Sequence, residues 1–147
     1  MNHYRPFSNL SFISKVIEKA VAQQLNDHLL ANALREIYQS AYKHLHSTEA
    51  ALLMVQSDIL MALDDRHAVF LLLLDFSAAF DTVQHSTLLS RLQSCYGITG
   101  PALAWMESYL CNRKQPVAIN YSVSSSHDLH FGVPQGSVLG PVPFFLY

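Results

Sequence analysis

Residues 71–83 read LLLLDFSAAFDTV and place a carboxylate, Asp75, at the end of an uninterrupted apolar run. A charge at the edge of a core is costly unless something binds it. The longer stretch HAVFLLLLDF, residues 67–76, is too short and too continuously apolar for a surface helix. It predicts a strand buried on both faces. A strand that ends in Asp and runs into a turn suits a metal ligand, because the strand fixes the carboxylate and backbone oxygens of the turn can share the ion. Mg²⁺ in particular takes oxygen ligands and typically uses one or two carboxylates plus substrate phosphates. The plainer alternative for such an Asp is a turn or helix cap. Asp81, six residues on, reads as a cap of that kind.

Helical spacing surrounds this strand. Val16, Ile17, Ala20, Val21, Leu25 and Leu29 predict a helix from Ser14 to about Asn32, with Ser11 or Ser14 as its cap. Ser47 is placed to cap a second helix whose stripe runs Ala51, Leu52, Val55, Ile59, Ala62, Leu63. Ser86 starts a third helix that Gly97 ends, and Pro101 stands near the N-terminus of a fourth. KQPVAINYSVSSSHDLHFGV predicts two strands around a Ser-rich turn, and GSVLGPVPFFLY begins a last apolar helix. The chain stops within that apolar segment, which leads us to expect a truncated domain.

Composition narrows the class. Of 147 residues half are hydrophobic and 14% charged, so a packed core is expected rather than disorder. Cys95 and Cys111 make neither a disulfide framework nor a zinc pattern and read as ordinary buried thiols in a reducing, intracellular setting. The longest purely apolar run, Ala68 to Leu74, falls far short of the roughly 20 residues of a membrane-spanning helix. The net charge of −2 argues against strong nucleic-acid binding. Its distribution is uneven: five Lys or Arg against three acids up to Lys43, then four against eight.

A second stretch, FGVPQGSVLGP at 131–141, sets Gln135 between a proline and a glycine at the entrance to a helix. Gly136 lets a flat ligand approach the backbone, and Gln135 has the reach to touch a base or sugar. The stretch is neither a P-loop, lacking Gly-Lys-Ser/Thr, nor a nucleophile elbow, lacking Gly-x-Ser-x-Gly.

DFSAAFDTVQHSTLLSRL and GVPQGSVLGP, in that order, resemble the first two palm motifs of reverse transcriptases from non-LTR, LINE-type retrotransposons. YRPFSNLSFISKVIEKAV and QSAYKHLHSTEAAL are similar to two upstream blocks of the same family. The resemblance implies an α/β (α+β) fold: part of the fingers (residues 1–66) and an incomplete palm (67–147) of a right-hand polymerase, with helices packed on a small antiparallel sheet. It implies RNA-directed DNA polymerisation by the complete parent, with Mg²⁺, an RNA template, a DNA primer and deoxynucleoside triphosphates. Asp75 would be the first catalytic aspartate and a ligand of both metals, with the Phe76 carbonyl on one of them. Phe80 would gate the sugar, with Ala79 leaving room beside it. Gln135 and Gly136 would line the nucleotide and template pocket, and Arg5 would contact the triphosphate.

Departures from the pattern temper that activity. The aromatic-x-Asp-Asp motif that supplies the remaining metal carboxylates does not occur in these 147 residues. Asp64-Asp65 is no substitute, since it closes a helix and lacks the aromatic. Lys43 stands where the family usually has Arg, losing a planar fork for phosphate, and Pro143 stands where Leu is common. Two other readings remain. His44, His46, His127 and His130 include the ligand types of a transition-metal site, though nothing in the sequence brings the two pairs together. A non-enzymatic, domesticated or decayed fragment would bind nucleic acid or protein, with Lys43, Arg113 and Lys114 as weak phosphate contacts.

Overall fold

The structure is a computed structural model that describes residues 8–43, 45–76 and 78–147. It contains five α-helices and four short strands among the described residues. The chain forms two compact units: one runs up to Leu34 and resumes over Ala78–Tyr147, and the other is Arg35–Ser77.

In the first unit, α1 (Phe12–Ala31) starts at Ser11, whose side chain accepts the Ser14 N–H. A hydrogen bond from the Leu34 N–H to the Leu29 carbonyl closes its last turn. The helices α3 (His85–Ser94) and α4 (Gly100–Leu110) follow as the spacing predicts, and the Ile98 N–H seals the end of α3 on the Leu92 carbonyl. The last helix, α5 (Pro141–Leu146), tolerates Pro143 because the ring lies in its first turn, where no intrahelical N–H bond is needed. Leu25 and Leu29 of α1, Leu88 and Leu92 of α3, Met106 and Leu110 of α4, and Leu139 and Leu146 share one buried cluster.

The class is the expected mixture of helices and small antiparallel sheets, but the sheet is not what the helices pack on. The core is helix against helix. Two separate ribbons lie outside it: β1 (Arg113–Gln115) pairs with β4 (His127–Leu129), and β2 (Ala118–Ile119) with β3 (Ser122–Val123). The turn also moves. The inner ribbon reverses at Asn120-Tyr121 rather than at the serines, because Asn120 takes a left-handed φ of 55° that Asn tolerates better than most residues. Neither thiol is buried, since Cys95 is exposed and Cys111 half-exposed.

In the second unit, α2 (Thr48–Asp64) is capped by Ser47, which accepts the Ala50 N–H, and Asp65 follows its last turn. Its apolar stripe buries no residue. Residues 67–76 form no strand, and Leu71 to Leu74 are 59–82% exposed, against the expectation of a doubly buried strand. The physical reason is pairing: a strand exists only against another edge, and no described residue of this unit is in one. No helix among the described residues is long and apolar enough to cross a membrane.

Candidate functional site

The two quoted motifs meet in the first unit, at the loop before α5. Ala79–Asp81 forms a single 3-10 turn, entered through Ala78 with a left-handed φ of 53°. The Val133 N–H donates to the Phe80 carbonyl at 2.8 Å, and the Gly132 N–H to the Val83 carbonyl at 2.7 Å. His85, buried, bonds the Gly132 carbonyl through Nε2 at 2.8 Å. A carbonyl only accepts, so that nitrogen carries the proton. Gly132 has a φ of 85°, and a Cβ there would stand 3.0 Å from the Phe80 carbonyl oxygen, so glycine is required for the two segments to lie this close.

Gln135 follows. Its backbone carbonyl accepts the Ser8 N–H at 2.9 Å, and its side-chain nitrogen lies 3.0 Å from each carboxylate oxygen of Asp81. Asp81 is therefore no helix cap; its carboxylate is taken up by a side chain 54 residues away. Gly136 turns the chain with a φ of 86°. Phe80, half-buried, packs on Phe144 at a ring-centroid distance of 4.9 Å. A small recess of about 40 Å³ opens beside this loop, lined by Asp81, Gln135, Gly132, Arg113 and Gln115 among others.

Behind the loop sits a residue that the sequence reading missed. Glu18 of α1 is only 1% exposed, and its Oε2 accepts the N–H groups of Val138 (2.8 Å) and Leu139 (3.2 Å). Its Oε1 accepts the Ser14 hydroxyl at 3.2 Å. The signal was present: Ser14, Glu18, Ala22, Leu25 and Leu29 fall at helical spacing, so an acid stands inside the buried stripe. Ser137 completes the support, accepting the Gly140 N–H at 2.8 Å and the Tyr109 hydroxyl at 3.2 Å. Burial pushes the Tyr109 phenol up to about 12, opposed by its bond to Ser137. Burial also lowers Arg113, whose Nη1 is buried without a hydrogen-bond partner.

The structure thus brings Ala79, Phe80, Gln135 and Gly136 together around one loop. Asp75 and Phe76 belong to the other unit and are both exposed there, and Lys43, in that unit too, is half-buried. Lys114 is exposed and pairs with Asp128 at 3.7 Å. Arg5 lies outside the described residues, as does His44 of the histidine reading. Among the described residues no three His, Cys, Asp or Glu side chains converge as a metal centre would require.

Comparison with known proteins places these motifs. Residues 1–147 match the family described as reverse transcriptase (RNA-dependent DNA polymerase). The chain is 33% identical over 144 residues to a probable RNA-directed DNA polymerase from transposon BS of Drosophila melanogaster. It is 35% identical over 144 residues to that of transposon X-element from the same fly. Each of these matches covers 98% of this chain and 16% of the relative. The polymerase of mobile element jockey from Drosophila funebris is 30% identical, covering all of this chain and again 16% of the relative. The chain therefore spans about a sixth of the length of the curated relatives it matches. No solved structure gives a significant match. With a family match along its whole length and both motifs in the order seen in polymerases of non-LTR retrotransposons, the chain belongs to the reverse transcriptase family.

Proposed function

We propose that these residues are the fingers-to-palm portion of an RNA-directed DNA polymerase, the fingers-like segment being residues 1–66 and the palm residues 67–147. The observation that carries the reading is the junction of the 79–85 and 131–136 segments, which holds Phe80 and Gln135 in one unit, with Gln135 lining a recess. In this reading Phe80 and Ala79 meet the sugar of a deoxynucleoside triphosphate, Gln135 and Gly136 meet the nucleotide and the RNA template, and Arg5 meets the triphosphate. Lys43, Arg113 and Lys114 contact the template–primer backbone.

Asp75 with the Phe76 carbonyl is this chain's share of a divalent-metal site, Mg²⁺ in the complete domain. One carboxylate does not hold two cations, and no further cluster of acids exists among the described residues. The residues present do not by themselves fit a metal centre, so the chain's own contribution is positional: it shapes the nucleotide pocket and presents Asp75.

The test is a chimera. Residues 1–147 replace the matching segment of the X-element polymerase, and primer extension is measured on an RNA template beside the isolated 147-residue chain. The expected result is extension by the chimera, none by the isolated chain, and loss of at least a hundredfold in the chimera with Asp75→Ala, as for an interaction made in the transition state. A folded chimera in which Asp75→Ala changes nothing would remove the polymerase reading.

A further inference from the structure

We infer that Asp81 is a positioning residue for Gln135, holding the amide so that the recess accepts the hydrogen-bonding edge of a base or sugar in preference to a bare phosphate. The inference rests on the reading of Gln135 as a nucleotide or template contact. A glutamine amide has a donor end and an acceptor end that are nearly interchangeable in shape, so an unrestrained one offers either to a ligand. Here the choice is made. A carboxylate only accepts, and both oxygens of Asp81 lie 3.0 Å from the same side-chain atom, which must then be the nitrogen. The backbone of Gln135 is held independently by the Ser8 N–H, and the turn after it by Glu18, so the side chain's remaining freedom is its own torsions.

With the nitrogen engaged, the acceptor Oε1 is the end left for a ligand. Arg113 also lines the recess, but its Nη1 is buried and is not presented to a ligand. The recess thus offers the Gln135 acceptor beside the negative charge of Asp81. The N–H of a base edge or the O–H of a sugar, which donates, matches this pattern. A phosphate ester has no proton to give to Oε1 and would face the Asp81 carboxylate.

The experiment follows the Gln135 side-chain amide of the ¹⁵N-labelled 147-residue chain by NMR, its resonance assigned by its loss in Gln135→Met. In the parent it is expected apart from those of exposed glutamines. In Asp81→Ala, which removes both acceptor oxygens from an exposed side chain, it moves to the exposed position, while Asp81→Glu restores part of the shift. An unmoved resonance in Asp81→Ala, with the buried methyl spectrum intact, overturns the proposal. Binding of an RNA–DNA primer–template duplex is measured in parallel. Asp81→Ala and Gln135→Met should each weaken it roughly tenfold, the scale of one charge-assisted hydrogen bond, and the double variant no further. Additive losses overturn the claim that Asp81 acts through Gln135. If the resonance moves but neither substitution changes binding, the positioning role stands and the nucleotide-pocket reading falls.

Discussion

Glu18 shows how much one side chain can decide. A carboxylate this deep is stable only when its oxygens are satisfied, and here two backbone N–H groups and a hydroxyl do so. Removing it strands two donors of the 135–139 turn. Glu18→Ala should therefore destabilise the chain by roughly 2–4 kcal/mol in denaturant unfolding. Glu18→Gln, which retains a carbonyl acceptor, should cost less than half of that. Equal losses for both would mean that volume rather than hydrogen bonding is what Glu18 supplies. The acid was visible in the stripe of α1, but its partners were not. They lie 120 and 121 residues away, and no local pattern encodes them.

At the scale of elements, the junction between 79–85 and 131–135 depends on Gly132. Its φ of 85° disfavours any side chain, and a Cβ there would meet backbone atoms of Phe80 and Asp81 at 3.0–3.3 Å. Gly132→Ala should cost roughly 2–4 kcal/mol and loosen the amide of Val133, read by slower unfolding-limited exchange in the parent than in the variant. A variant of parental stability would show that the two segments can separate freely. Helices were legible because their signals are local: Ser11 and Ser47 cap α1 and α2 through the N–H three residues on. Strands were not. The outer ribbon joins Arg113 to Leu129 and the inner one reverses at Asn120-Tyr121, registers that depend on cross-strand partners and on the torsions of Asn120.

At the scale of the whole molecule, the two units differ in how much they bury. The unit containing Leu88, Leu110 and Leu139 has a sealed core, whereas α2 buries nothing and Leu71–Leu74 stand in solvent. An exposed apolar patch of this kind drives association. The isolated chain should therefore self-associate in sedimentation velocity as concentration rises. Leu72→Lys with Leu74→Lys should reduce that association and leave the unfolding of the Leu88 core unchanged. A monomer at all concentrations would show that the segment finds cover within the chain.

What the sequence by itself determined is the set of parts: helices with their caps, the two motifs and their order, and the family to which they belong. Each rests on spacing and residue type within a short window, which the chain carries wherever it goes. Tertiary structure alone decided what those parts do to one another. It turned Asp81 from a cap into the partner of Gln135 and put Glu18 under the loop. It also made a helical core where a sheet was expected, and left 67–76 without a ladder. These outcomes depend on groups far apart in the chain meeting with their donors and acceptors matched. Hydrogen-bond satisfaction and strand pairing are properties of pairs, and a sequence states only the members.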